Sequence, residues 1–284
     1  MGVYAVTGSA SGMGQQVARK LRENGHTVIG VDIKQADIVA DLSTPQGRRA
    51  AADGVLASSG SRLDGAVLAA GLGPGPAAGR CVSIAQVNFF GVVDLLDAWR
   101  PALAATVFAK VVVFSSNSTT TTPAVPARTV RALLGGNPDR AVRSVRVFGT
   151  YAPTILYAAS KIAVSRWVRR AAVRPEWAGS GIRLNALAPG AIMTPLLEEQ
   201  LSIASQAKAV RSFPIPVGGY GDAGQLADWA LFMLSDAATF LCGSVIFVDG
   251  GSDAYFRAEE WPRPVPIHRM LGYLKRFGDW RGTD

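Results

Sequence analysis

Along the chain, short runs of apolar and β-branched residues alternate with longer stretches whose apolar side chains recur at helical spacing. Val3-Tyr-Ala-Val-Thr-Gly8 reads as a strand ending in glycine, and Gly12 to Asn24, closed by Gly25, as a helix. Thr27-Val-Ile-Gly-Val-Asp32 is a second strand. Ser43 or Thr44 then caps a helix with Pro45 in its first turn, and Asp64-Gly-Ala-Val-Leu-Ala-Ala70 is a third strand. A long helix is expected from about Ser83 to Ala104, then a strand at Lys110-Val-Val-Val-Phe-Ser115, a helix carrying Tyr157 and a strand at Ile182-Arg-Leu-Asn-Ala-Leu187. A helix near Asp222 to Ser235 precedes the last strand, Ser244-Val-Ile-Phe-Val-Asp249. Apolar strands separated by helices imply parallel pairing through right-handed crossovers, the doubly wound α/β plan with helices on both faces. Ligands bind such sheets at the carboxyl ends of the strands.

Two segments interrupt the alternation. Residues 117–150 are rich in Thr, Pro, Gly and Arg and read as an insertion, within which Asp139-Arg-Ala-Val-Arg-Ser-Val-Arg-Val-Phe148 has the pattern of a short amphipathic helix. Residues 255–284 read as a C-terminal extension to a domain spanning 1–254. In it His268 to Phe277 carries apolar and aromatic residues at helical spacing, expected to dock on its own domain or on a partner subunit.

The composition fits one large globular domain with appendages: 284 residues, 49% hydrophobic and 18% charged. The start has no basic segment followed by a long apolar stretch, and no later run approaches the roughly 18 apolar residues of a membrane span, so we expect a cytoplasmic protein without a membrane partner. Two cysteines, Cys81 and Cys242, without Cys-x-x-Cys spacing read as reduced thiols, and two histidines offer no zinc cluster, so no metal is expected. The formal charge of +8 is read as a solvated arginine-rich surface. No module or interleaved aromatics point to nucleic acid.

Two features carry chemistry. Tyr157-Ala-Ala-Ser-Lys161 places a phenol and an ammonium four residues apart on one helix face, where the cation is expected to draw the phenol, with a pKa near ~10, toward neutral pH. Thr7-Gly-Ser-Ala-Ser-Gly-Met-Gly14 joins the first strand to the first helix, where amides and a helix N-terminus suit a pyrophosphate. Asp32 ends the second strand about 20 residues on, the spacing at which an acid accepts bonds from the adenosine ribose and repels a 2′-phosphate. NAD is therefore the expected cofactor, with Lys34 near enough to allow some NADP.

Thr7-Gly-x-x-x-Gly-x-Gly14, Ala69-Ala-Gly71, Asn88, Ser116, Tyr157-x-x-x-Lys161 and Pro189-Gly190 stand in the order of the short-chain dehydrogenase/reductases, which the chain resembles from its start to about Gly251. Ala40-Asp-Leu-Ser-Thr44, Ala70-Gly-Leu-Gly-Pro74, Val87-Asn-Phe-Phe-Gly91, Ala188-Pro-Gly-Ala191, Thr194-Pro-Leu-Leu197 and Val248-Asp-Gly-Gly-Ser-Asp-Ala254 resemble the bacterial 3α-hydroxysteroid dehydrogenase/carbonyl reductase branch, which also has a long insertion before the tyrosine. The resemblance implies a Rossmann-type fold. It further implies that Tyr157 is the general acid/base, Lys161 lowers its pKa and binds the nicotinamide ribose, Ser116 rather than Ser115 bonds the substrate oxygen, and Asn88 holds a water leading protons to Lys161. By the same resemblance Gly8, Ser11, Gly12, Met13 and Gly14 contact the pyrophosphate and Asp32 the ribose. Asp41 and Leu42 contact the adenine, Ala70 and Gly71 the adenosine, and Pro189, Gly190, the Ile192 amide and the Thr194 hydroxyl the carboxamide side. Leu68-Ala-Ala-Gly71 lacks the two amide side chains this turn commonly has.

The substrate is expected between the nicotinamide and a mobile loop from Thr194 to Val217, with Leu196, Leu197, Phe213, Pro214, Ile215 and Pro216 forming an apolar pocket for a hydrophobic alcohol or ketone such as a 3α-hydroxysteroid. The alternatives are an anionic, acyl-CoA-like substrate held by Arg128, Arg131, Arg140, Arg143 and Arg146, or a non-catalytic NAD-sensing regulator. Members of the family often pair through the tyrosine helix. An insertion just before that helix obstructs it, so a homodimer built elsewhere is expected rather than a tetramer.

Overall fold

The computed structural model describes residues 1–262 and 264–279, apart from the side chains of 204–206, 209, 277 and 278. The chain opens with β1 (Val3–Thr7), α1 (Gly12–Glu23), β2 (Thr27–Asp32), β3 (Ile38–Val39), α2 (Pro45–Ser58) and β4 (Gly65–Leu68). There follow α3 (Arg80–Ala85), a π-helical turn at Gln86–Phe90, α4 (Gly91–Ala104), β5 (Lys110–Phe114), α5 (Ser118–Thr121), α6 (Ala127–Leu134), α7 (Pro138–Val145) and α8 (Ala152–Ala171). The last part holds β6 (Arg183–Pro189), β7 (Ile192–Met193), α9 (Pro195–Ser202), α10 (Ala204–Arg211), β8 (Gly221–Asp222), α11 (Ala223–Leu234), β9 (Val245–Val248), α12 (Ser252–Arg257) and α13 (Met270–Asp279).

Seven strands form a parallel sheet in the order β3-β2-β1-β4-β5-β6-β9. The chain winds outward from β1 through β2 and β3, then returns to the other side of β1 with β4. The switch point therefore lies between the carboxyl ends of β1 and β4, where doubly wound sheets take their ligands. Successive strand residues face opposite layers, and the core divides accordingly. Val17, Ala18 and Leu21 of α1 and Leu226, Ala230 and Met233 of α11 cover one face, while α2, α4 and α8 cover the other.

The 25-residue helical run Arg80–Ala104 is long and apolar enough to cross a bilayer. Its apolar face nevertheless lies in the sheet core, with Ile84, Leu95, Leu96, Trp99 and Leu103 fully buried.

The insertion forms three helices, α5, α6 and α7, where the sequence predicts one. Val130 and Leu133 of α6 and Ala141 and Val145 of α7 are buried in the same cluster as Leu156 and Ala159 of α8. The segment is thus a helical cover on the tyrosine helix. The expected helix at 139–148 ends earlier, at Val145, and continues as a 3-10 turn to Tyr151. The expected loop 194–217 contains α9 and α10, the first capped by the Thr194 hydroxyl, which accepts the Leu197 N–H at 3.4 Å. In the extension, Ile267, Met270, Leu271 and Leu274 are exposed. Those four side chains of the tail therefore lie outside the sheet core. The C-terminal part of its predicted span falls on Phe277, whose side chain lies outside those described.

Candidate active site

The first glycine turn closes because two of its glycines leave no room for a side chain. A Cβ on Gly14 would sit 2.3 Å from the Gly8 oxygen, and one on Gly8, at φ +70°, 2.8 Å from the Ala70 nitrogen. The turn after β1 thereby presses on the turn after β4. The Thr7 hydroxyl accepts the Ala70 N–H at 3.1 Å, which ties the amide-free Leu68-Ala-Ala-Gly71 turn in place. Asp32 turns its carboxylate to the same spot and accepts from the Ala10 N–H at 3.0 Å and the Lys34 N–H at 3.2 Å.

Between these walls runs a cleft of about 620 Å³ lined by Gly8, Ser11, Gly12, Met13, Gly14, Asp32, Asp41, Leu42, Ala70, Gly71 and Thr194, among others. Its size suits an organic ligand of dinucleotide class, and its floor is the backbone cradle that Gly8 and Gly14 keep open. Ile33, Ala40, Ser43, Leu72, Ser83, Val87 and Pro195 also line it and were not named as cofactor contacts from the sequence. They are ordinary apolar or small residues whose only signal was adjacency to the motifs.

Tyr157, Lys161, Pro189, Gly190 and Ile192 are not part of that lining. Gly190 packs on the last strand's turn, where a Cβ would lie 2.7 Å from the Asp249 Cα. Ile192 is buried against the α1 and α11 layer. The Thr194 hydroxyl bonds the Ile192 carbonyl at 3.3 Å besides capping α9, so its lone pairs and proton serve the backbone.

Beyond the cleft, α8 brings Tyr157 and Lys161 under the end of β5. Ser116 lies beside the Tyr157 phenol, close enough to lower its pKa, and the Ser116 hydroxyl oxygen accepts the Ser118 N–H at 3.1 Å. Ser115 belongs to the strand alternation, two residues after Val113 on the α8 face, and its hydroxyl is engaged with Ser165 at 2.6 Å. Lys161 is buried and donates to the Phe114 carbonyl at 2.7 Å, with its nitrogen 6.0 Å from the centre of the Tyr157 ring.

This arrangement corrects the expected electrostatics. Burial pushes the Tyr157 phenol above its ordinary value, and only the Ser116 hydrogen bond opposes it. Burial also lowers Lys161 to about 8. The ammonium is turned to a strand carbonyl, so it stabilises that carbonyl rather than a phenolate.

Asn88 sits in the π-turn, 1% exposed, and bonds across the site rather than within its helix. Its side chain accepts the Leu72 N–H at 2.8 Å and donates to the Leu72 carbonyl at 3.0 Å and to the Ser160 hydroxyl at 3.4 Å. A Cβ on Gly71 would lie in ordinary contact, 3.5 Å from the Asn88 Oδ1 and 3.7 Å from the Lys161 nitrogen, so both groups border this glycine.

The apolar set expected around the substrate divides. Leu196 lines the cleft, whereas Leu197 is buried. Phe213 packs at 5.8 Å on Phe256, the Pro214 carbonyl accepts from Ser252 at 2.7 Å, and Ile215 and Pro216 abut Gly250 and Gly251. The end of the loop is thus an anchor to the last strand's turn. Arg128, Arg131 and Arg140 converge on a hollow of about 300 Å³ that shares no residue with the cleft. Among the described residues no three of His, Cys, Asp and Glu gather as a metal site.

Comparison with known proteins gives this geometry a family. A family profile described as enoyl-(acyl carrier protein) reductase matches residues 140–253. The 3-alpha-hydroxysteroid dehydrogenase/carbonyl reductase of Comamonas testosteroni is 36% identical over 261 residues, 92% of this chain and 100% of that protein. The galactitol 2-dehydrogenase (L-tagatose-forming) of Cereibacter sphaeroides is 30% identical over 87% of this chain and 93% of its own. The crystal structure of the 3-alpha-hydroxysteroid dehydrogenase from Pseudomonas sp. B-0831 complexed with NADH superposes with a TM-score of 0.85 at 42% identity, covering 91% of this chain and 100% of that one. With a cleft at the switch point, a Ser-Tyr-Lys group beyond it and relatives that match over about nine-tenths of its length, the chain belongs to the short-chain dehydrogenase/reductase family of nicotinamide-dependent oxidoreductases.

Proposed function

We propose that the chain interconverts a secondary alcohol and a ketone on a hydrophobic substrate with NAD, and that 3α-hydroxysteroids are the substrates to try first. The observation that carries this reading is the meeting of Ser116 with Tyr157, over a buried Lys161, in a chain 42% identical to a 3-alpha-hydroxysteroid dehydrogenase crystallised with NADH.

NAD, when bound, supplies the hydride acceptor. The amides from Gly8 to Gly14 take its pyrophosphate at the start of α1, and Asp32, held by two backbone N–H groups, takes the adenosine ribose and disfavours a 2′-phosphate. Tyr157 removes the alcohol proton in oxidation and returns it in reduction. Ser116, whose oxygen already accepts from Ser118, turns its proton from the Tyr157 phenol to the substrate oxygen when substrate is bound, where negative charge grows in the transition state. Lys161 passes protons away from Tyr157 through a water that Asn88 helps hold, the two residues meeting beside Gly71.

A neutral phenol suits reduction at ordinary pH, whereas oxidation requires its deprotonation and gains rate as pH rises.

In the same reading residues 1–254 are the oxidoreductase unit, with 117–150 as an inserted helical cover and 255–284 as an extension. Free Cys81 and Cys242 suit a cytoplasmic setting. The functional unit is a homodimer. Because α6 and α7 cover α8, the contact falls on the face where β9 ends the sheet, beside exposed Trp229, Phe232 and Phe240.

The test follows NADH formation from a panel of 3α-, 17β- and 20β-hydroxysteroids and simple secondary alcohols. A 3α-hydroxysteroid should turn over best, and Tyr157→Phe should lose at least about 10³-fold in kcat while keeping NAD affinity. Full activity in Tyr157→Phe, or NAD binding without turnover of any panel member, defeats the proposal. Activity confined to anionic thioesters and falling steeply with salt would transfer it to the arginine hollow.

A further inference from the structure

Arg48 is 6% exposed, in the first turn of α2, where a cation opposes the helix dipole. Its position is explained by what the guanidinium grips. Nε meets the Asp94 carboxylate at 2.6 Å, while Nη1 donates both to the Leu42 carbonyl and to the Gln86 side chain, each at 3.0 Å. Leu42 belongs to the Asp41-Leu42-Ser43 wall of the cleft. Gln86 begins the π-turn that carries Asn88, which in turn accepts the backbone N–H of Leu72 and donates to its carbonyl on the facing wall. Gly47 lets the wall close on α2, since a Cβ there would lie 2.0 Å from the Asp41 oxygen.

We infer that Arg48 is a positioning residue for dinucleotide binding, setting the Asp41–Ser43 wall against the π-turn so that the cleft has one fixed width at its adenosine end. The inference rests on the cofactor reading above. It requires arginine: separate nitrogens serve the carboxylate and the two neutral acceptors, and a lysine point charge cannot reproduce that fork. Asp94 is half exposed and acts as counter-charge, whereas the Leu42 and Gln86 contacts shape the wall.

The experiment measures ADP-ribose affinity by calorimetry, and KM for NAD and kcat by turnover, for wild type, Arg48→Lys, Asp94→Asn and Gln86→Met, with thermal stability alongside. Arg48→Lys should weaken ADP-ribose and raise KM for NAD about tenfold, with kcat within twofold. Asp94→Asn should lower stability but leave ADP-ribose within twofold, and Gln86→Met should weaken it about threefold at unchanged stability. If Arg48→Lys does not fold, Gln86→Met decides. Affinity that follows stability across all three variants, or is unchanged in folded Arg48→Lys and in Gln86→Met, overturns the inference while wild type still binds ADP-ribose. Failure of wild type to bind it overturns the cofactor reading as well.

Discussion

Lys161 is the side chain whose environment most changes its chemistry. Burial lowers it to about 8, below its value in the unfolded chain, so between those two values the unfolded state binds more protons and stability rises with pH. The contribution is unfavourable and complete below about pH 8, and it is relieved toward pH 10. Tyr157 sets the upper limit, because its raised pKa makes the folded state keep a proton that the unfolded state sheds above ~10, which reverses the slope. Relative to Lys161→Met, the wild-type protein should therefore gain about 2 kcal/mol between pH 7 and 10 without ligand. Parallel stability curves for the two proteins, by urea denaturation at each pH, would contradict the burial of a charged lysine. The i,i+4 spacing of Tyr157 and Lys161 was legible in the sequence, since helix geometry fixes it. The turn of the ammonium toward the Phe114 carbonyl was not, because that carbonyl belongs to a strand 47 residues away.

At the scale of elements, the β1–α1 turn carries the sharpest prediction. Gly14→Ala drives a methyl into the Gly8 carbonyl, so it should cost about 3 kcal/mol and abolish ADP-ribose binding. Gly25→Ala is the control: Gly25 sits at φ +80° with nothing within 4 Å, so the strain of a left-handed residue costs about 1 kcal/mol and binding persists. Equal losses in both variants, by calorimetry and thermal melts, would remove the steric account. Periodicity placed six of the seven sheet strands and missed β3, whose two residues are too few to show an alternation. It also missed α6, because a Thr-, Pro- and Arg-rich segment becomes helical only when Val130 and Leu133 find α8. The π-turn at Gln86–Phe90 had no sequence signal, yet it is what aims Asn88 across the site.

Among the described residues β9 is the last strand of the sheet and leaves an open edge, and Trp229 and Phe232 of α11, whose layer packs on β9, are 44% and 47% exposed. Exposed aromatics beside an open edge are unusual on a surface that stays in water. On the proposed dimer, wild type should sediment as a dimer at micromolar concentration and the double replacement of Trp229 and Phe232 by Glu as a monomer, with the circular dichroism unchanged; a monomeric wild type would overturn the dimer itself. A variant that sediments like wild type would place the contact elsewhere, with the exposed Ile267, Leu271 and Leu274 of the tail next to be tested.

The sequence by itself determined the alternation of strands and helices in a doubly wound plan, the glycine turn, the acid at the end of β2 and the spacing of Tyr157 and Lys161. Each depends on spacing along one strand or helix, or on a backbone conformation only glycine adopts without strain. Tertiary structure alone decided which way Lys161 points, that Thr194 caps a helix, that Phe213 to Pro216 anchor rather than line, and that Arg48 joins two walls of the cleft. Those outcomes depend on distances between residues far apart in the chain, and such distances exist only once the layers have packed.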